Sequence, residues 1–312
     1  MALIFVTGAR GAIGRRVVAF AQGRGHRVCG LGHGAWLDDG GLPSIEGWIN
    51  GDVNSDNLTA LATEFGSPDS VVHLAGGSLV GPSISHPGED FRRTVEGSQR
   101  LLLWLRTDAP LARLVIASSA AVYGDGHHDP ISENAPLNPT SPYGTHKAVV
   151  EMLCRSYARD FSLNVAILRL FSVYGPGLQK QLIWDLASRI HRGEAGIVLG
   201  GSGKETRDFI YIDDAANMLL DVVEQAEASV PVLNGCTGRA TSITAIAGLV
   251  SKAFGAPSPE FSGLIRTGDP LHLTGNIYLS RATGLQAGTP LEDGLAQTLT
   301  WIQKRLSKDV AL

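Results

Sequence analysis

Apolar residues along this chain come in short unbroken runs rather than in strict alternation. Leu3-Ile4-Phe5-Val6 ends at Thr7-Gly8, and similar runs occur at Ser70–Leu74, Leu114–Ala117 and Asn164–Phe171. Runs of this length predict strands buried on both faces. Arg27–Leu31 is a further short strand. Between them the spacing turns helical. It predicts helices over Ile13 to about Ala21, Phe91 to about Leu105, and Lys147 to about Phe161. Strands alternating with helices imply an α/β fold with a doubly wound parallel sheet. The alternation is regular to about residue 172. Beyond it lie the loop GPGLQKQ, a helix near Leu182–Ile190, and a mixture of short elements and turns. We therefore expect one large α/β unit over 1–172, with a strand returning to it from near 207–235, and a smaller, irregular part over 173–312.

Composition narrows this picture little. The chain of 312 residues is 44% hydrophobic and 18% charged, ordinary for a globular protein with a substantial core. A net charge of −4 gives no reason to expect nucleic acid or an acidic membrane as partner. Cys29, Cys154 and Cys236 are scattered and odd in number, which predicts neither a disulfide framework nor a metal site. MALIFVTG is too short for a leader or a membrane span. The expectation is a cytoplasmic protein without a metal.

Three local patterns carry chemistry. Gly8, Gly11 and Gly14 form GxxGxxG between the first strand and the first helix, the Rossmann-type arrangement. That context sets backbone N–H groups and a helix dipole against a pyrophosphate. Sites that choose NAD usually carry an acid at the end of the second strand. Here the strand ends Leu31-Gly32-His33-Gly34, with Asp38 and Asp39 only later. Arg10 inside the turn and His33 nearby suit an extra phosphate, which tilts the expectation toward NADP over NAD. Second, Ser119 ends the strand at Leu114–Ala117, where ligands bind in open sheets. Third, SPYGTHK places Tyr143 and Lys147 at i and i+4 on one helical face. A tyrosine acting as base near neutrality needs its pKa lowered by about 3 units, and one cation at ~4 Å supplies about that much. Lys147 is the expected cation.

These motifs resemble those of the extended short-chain dehydrogenase/reductases, in the NAD-dependent epimerase/dehydratase family acting on nucleotide sugars. VTGARGAIG, HLAG at 73–76, SSAAVYG at 118–124, SPYGTHK, LRLFSVYGPG at 168–177, RDFIYIDDAA at 207–216 and RTGDP at 266–270 carry the resemblance. It implies Ser119, Tyr143 and Lys147 as the catalytic trio. It implies Gly8, Arg10, Gly11, Ala12, Ile13, Gly14, His33, Asp52, Val53, Leu74, Ala75 and Gly76, with Tyr143 and Lys147, around the cofactor. Ser83, Ser119, Ala120, Tyr143 and Ser172 would meet the sugar, with Arg207 and Arg266 on the nucleotide diphosphate. A homodimer is implied by the helices near 91–105 and 147–161. Ser172, Thr94 and Asn276 depart from the family's usual residues.

Ala120 and Ala121 bear on the reaction. Family dehydratases carry an acid there, because eliminating water needs a second acid/base pair. What remains is hydride transfer with one base. That favours an epimerase, expected at sugar carbon 4. The alternative is an NADPH-dependent reductase of a nucleotide-linked 4-keto-6-deoxy sugar. A non-catalytic dinucleotide-binding protein is a third reading, which the presence of both Tyr143 and Lys147 disfavours.

Overall fold

The computed structural model describes residues 1–36, 44–128, 130–264 and 270–309. The expected runs are strands, and all lie in one parallel sheet. β1 (Leu3–Thr7), α1 (Ala12–Gly23), β2 (Arg27–Gly32), β3 (Gly47–Asn50), α2 (Ser55–Phe65) and β4 (Ser70–His73) open the chain. Two short helices follow, α3 (Val80–Ser85) and α4 (Pro87–Phe91). A π-helical turn at Arg92–Glu96 then leads into α5 (Gly97–Asp108). Next come β5 (Arg113–Ser119), α6 (Pro142–Phe161), β6 (Asn164–Leu170) and β7 (Ser172–Tyr174). The remainder is α7 (Gln181–His191), β8 (Val198–Leu199), β9 (Thr206–Tyr211), α8 (Ile212–Asp221), β10 (Val232–Gly235), β11 (Ala240–Ser242), α9 (Ile243–Ala253), β12 (Glu260–Phe261), β13 (His272–Leu273), α10 (Tyr278–Ala282) and α11 (Leu291–Asp309).

The main sheet has seven strands in the order β10-β6-β5-β4-β1-β2-β3. Every pairing in it is parallel. Chain order reverses between β1 and β4, so a crevice opens at their carboxyl ends. One apolar layer lies over one sheet face, with Val17, Val18, Leu186, Leu219 and Ile246 from α1, α7, α8 and α9. A second lies over the other face, with Leu58, Leu61, Leu101, Trp104, Val150 and Cys154 from α2, α5 and α6. This two-sided covering is why the strands read as unbroken apolar runs.

The strand expected to return from near 207–235 resolves into two elements with different fates. β10 completes the main sheet beside β6. β9 instead centres a small second sheet, parallel to β7 and β13 and antiparallel to β11. Asp208 on β9 is fully buried. It accepts hydrogen bonds from Thr237 N (2.8 Å), Thr237 Oγ1 (2.6 Å) and Gly238 N (2.8 Å), which ties this sheet to the turn after β10. Among the described residues no helix is long and apolar enough to cross a membrane.

Candidate active site

At the crevice lies a cavity of about 1000 Å³. Its floor is the turn between β1 and α1. Gly8 has φ +69°, and a Cβ there would lie 2.9 Å from Ala75 N. At Gly14 a Cβ would fall 2.3 Å from the Gly8 carbonyl oxygen, so the helix packs onto the turn only because this residue lacks a side chain. Gly11 is the N-cap of α1 and supplies no side-chain cap. The first-turn N–H groups are therefore open to the cavity, as an anion requires. Arg10 Nε is buried without a hydrogen-bond partner. An open helix end, a close-packed glycine turn and an orphaned guanidinium nitrogen together fit the pyrophosphate and ribose of a dinucleotide.

The cavity divides into two ends. At the far end of β2 and β3, Asp52 is held by His33 Nε2 at 3.1 Å and Arg92 Nη1 at 3.3 Å, and Arg10 Nη1 donates to the His33 carbonyl at 3.3 Å. At the other end, β5 finishes at Ser119 and α6 begins. Ser141 caps α6 by accepting from Gly144 N at 3.2 Å, and Pro142 starts the first turn. The cap fixes where Tyr143 and Lys147 emerge. Tyr143 N donates to Ser83 Oγ at 3.1 Å, which seats the first turn of α6 on α3. Lys147 Nζ donates to the Ala117 carbonyl at 2.9 Å, and its side chain is 8% exposed.

The electrostatics differ from the sequence expectation in one respect. Tyr143 hydrogen-bonds Ser119, which pulls its pKa down, but burial outweighs this and the phenol sits above its ordinary value. Lys147 Nζ lies 6.0 Å from the Tyr143 ring centroid, donates to the Ala117 carbonyl, and is not among the groups that move this pKa. Burial lowers Lys147 itself to about 8, against upward pulls from Asp90 and Glu151. His73, sealed at the end of β4 between Thr7 Oγ1 (2.7 Å) and Ser98 Oγ (3.0 Å), is pushed by burial down to about 3 and stays neutral.

Gly8, Arg10, Gly11, Ala12, Ile13, Gly14, His33, Asp52, Val53, Leu74, Ala75 and Gly76 all line this one cavity. So do Ser119, Ala120, Tyr143, Lys147, Ser172 and Arg207. Ser83 does not. It is fully buried and its hydroxyl is spent on Val80 O (2.7 Å) and Tyr143 N, so it supports the site from behind. Arg266, Asp38 and Asp39 lie outside the described residues.

Sequence reasoning missed the support behind the site. Asp90, 8% exposed, bonds His146 Nδ1 at 2.6 Å, one residue before Lys147. Glu151, one turn beyond Lys147, accepts from Ser118 Oγ (2.6 Å) and from Arg169 Nε (2.9 Å) and Nη2 (2.6 Å). This buried bidentate pair clamps α6 against β5 and β6. Glu151 is four residues after Lys147, a helical repeat that marks a shared face. Its partner on β6 had no local signal.

The sequence matches the model of the NAD dependent epimerase/dehydratase family over residues 4–234. The UDP-glucose 4-epimerase of Corynebacterium glutamicum is 30% identical over 286 residues, 86% of this chain and 86% of that protein. Two solved structures superpose along nearly the whole chain. MoeE5 in complex with UDP-glucuronic acid and NAD has a TM-score of 0.86 and 31% identity, covering 97% of this chain and 99% of that one. The UDP-glucose 4-epimerase of Thermotoga maritima with UDP-glucose has a TM-score of 0.89 and 26% identity over the same shares.

Proposed function

The chain belongs to the NAD-dependent epimerase/dehydratase family, and from that premise we propose that it inverts carbon 4 of a nucleotide-linked sugar through a transient keto intermediate. The observation that carries this reading is one cavity with the glycine turn at one end and Ser119, Tyr143 and Lys147 at the other. A nicotinamide dinucleotide is the cofactor, and it supplies reversible hydride acceptance at the sugar carbon.

The protein's own residues handle the proton. Tyr143 takes the proton of the carbon-4 hydroxyl and returns it after the ketone has turned over. Ser119 holds the same oxygen through its hydroxyl. Because burial keeps the Tyr143 proton on in the free protein, deprotonation awaits a positive charge placed beside the phenol. At ~4 Å and an effective dielectric of ~20 such a charge is worth about 4 kcal/mol. Lys147, mostly protonated at neutral pH with a pKa near 8, would orient the ribose of a bound dinucleotide and add to that charge. Ala120 and Ala121 offer no second acid, which argues against loss of water.

We take the dinucleotide to be NAD and the nucleotide to be UDP, as in the MoeE5 complexes. The tilt toward NADP rests on Arg10 and His33. The Arg10 guanidinium leans on the His33 carbonyl, His33 pairs with Asp52, and the MoeE5 complexes hold NAD. Gly8 to Val53 would hold the adenosine half, Leu74 to Gly76 the nicotinamide ribose, and Arg207 with Arg266 the nucleotide diphosphate. Residues 173–312 would supply most of the nucleotide-sugar contacts. Leu103 on α5 and Met152 on α6 are 43% and 64% exposed, and these helices would pair across a homodimer. The test is the identity of the small molecule released on denaturing the purified protein. Stoichiometric NAD supports an epimerase that recycles its cofactor. An empty protein that binds NADPH far better than NADH supports the reductase instead.

A further inference from the structure

One cation of the catalytic cavity has no task in that mechanism. Lys180 lies in the loop after β7 and is the N-cap of α7. It lines the same cavity as Ser119, Tyr143 and Lys147. Its Nζ reaches the Ser78 carbonyl at 3.5 Å, the outer limit of a hydrogen bond. Burial lowers its pKa, and among the described residues no carboxylate opposes the shift. Lys147 differs, since Asp90 and Glu151 both favour its charged form. Lys180 is also close enough to Lys147 to push its pKa down. Lys147 and Lys180 thus line one cavity, while the only carboxylate among its described lining residues, Asp52, is held by His33 and Arg92. The backbone beside Lys180 is strained. Gln181, next in sequence, has φ +67°, a left-handed conformation unfavourable for a residue with a side chain. Strain of that kind is often kept at ligand clamps.

Position narrows what Lys180 meets. Ser78 follows the β4 turn beside the reacting end, and Lys147 is a neighbour. In the epimerase reading Tyr143 and Ser119 hold the oxygen on carbon 4, and the neighbouring ring carbon is carbon 5, which carries the exocyclic substituent. We propose that Lys180 receives a carboxylate on that carbon, so the substrate is a nucleotide-linked hexuronic acid rather than a neutral hexose. This rests on the nucleotide-sugar reading above. Among the described residues nothing supplies this half-buried ammonium with a counter-charge, and a neutral hydroxymethyl group adds none, whereas a carboxylate gives it a charge-assisted hydrogen bond.

The test is calorimetric binding of UDP-glucuronate and UDP-glucose to the NAD-loaded protein, repeated with Lys180→Met and Lys180→Arg. The wild type is expected to prefer the glucuronate by roughly 10- to 100-fold, the scale of a hydrogen bond to a charged group. Lys180→Met should collapse that ratio, and Lys180→Arg should restore most of it. Equal binding of the two sugars by the wild type overturns the proposal. So does an equal loss for both in Lys180→Met, with UDP alone weakened to the same extent, which would put the lysine on the diphosphate. Turnover followed by NMR separates this from the reading beneath it. Epimerisation of UDP-glucose with no preference for the glucuronate sinks the proposal and keeps the epimerase. A lysine-dependent glucuronate preference with no epimerisation of either sugar keeps the proposal and sinks the epimerase.

Discussion

Lys147 weakens the fold of the free protein, and the size of that effect follows from its surroundings. Its pKa falls from 10.5 to about 8 on burial. Each unit is 1.36 kcal/mol of difference between protonation states, so the buried ammonium costs about 3 kcal/mol at neutral pH. The unfolded chain binds more protons than the folded one between pH 8 and 10.5. Stability therefore rises with pH across that window and is lowest, as far as this group is concerned, below pH 8. Lys147→Met removes the titration and keeps the volume. It also gives up the hydrogen bond to the Ala117 carbonyl, an offset of about 1 kcal/mol that does not depend on pH. Urea unfolding of cofactor-free wild type and variant at pH 7 and pH 10.5 isolates the pH-dependent part, because the other titrating groups are common to both. We expect the stability difference between the two proteins to move by about 3 kcal/mol, with the variant favoured at pH 7. A difference that stays constant to within ~0.5 kcal/mol would refute the assignment of a buried, strained charge to this lysine.

Three further outcomes follow from the same geometry. Tyr143→Phe should lower turnover by about 10²–10⁴-fold while the purified protein retains its dinucleotide, and near-normal turnover would remove Tyr143 from proton transfer. Gly14→Ala would set a Cβ 2.3 Å from the Gly8 carbonyl oxygen and 2.7 Å from Ala9 Cα, both backbone. It should lower stability by about 1–3 kcal/mol and deplete the bound dinucleotide, and an unchanged Tm with full occupancy would contradict the cradle. Glu151→Gln strips the charge from a pair in which both side chains are 2% exposed. It should destabilise by about 3–5 kcal/mol in chemical denaturation, and a loss under ~1 kcal/mol would mean that Arg169 finds another partner.

The parts legible in the sequence were those where one physical rule acted alone. The strands at Leu3–Thr7, Ser70–His73, Arg113–Ser119 and Asn164–Leu170 are covered on both faces, so each shows an unbroken apolar run. β3, Gly47–Asn50, is an edge strand and only half-buried beyond its first residue, and GWIN gives no such run. α2 has its cap at Asn54 but buries only Leu58 and Leu61, too few to announce a helix. The fate of 207–235 depends on which sheet accepts each strand, which no local pattern encodes. At the site, the glycine spacing and the Tyr143/Lys147 repeat were readable because they are local. Asp90 with His146, Glu151 with Arg169, and Lys180 beside Ser78 join distant segments. The Tyr143 pKa went the other way for the same reason, since burial is a tertiary property.

The central claim is that a hydride leaves sugar carbon 4 and returns to it within one protein. UDP-glucuronate and UDP-glucose deuterated at carbon 4 would be incubated with the purified protein and no added dinucleotide, and the products read by NMR and mass. The account predicts the carbon-4 epimer of at least one sugar with its deuterium retained. No product until NADPH is added in stoichiometric amount, or an epimer whose deuterium has been lost to water, would contradict it.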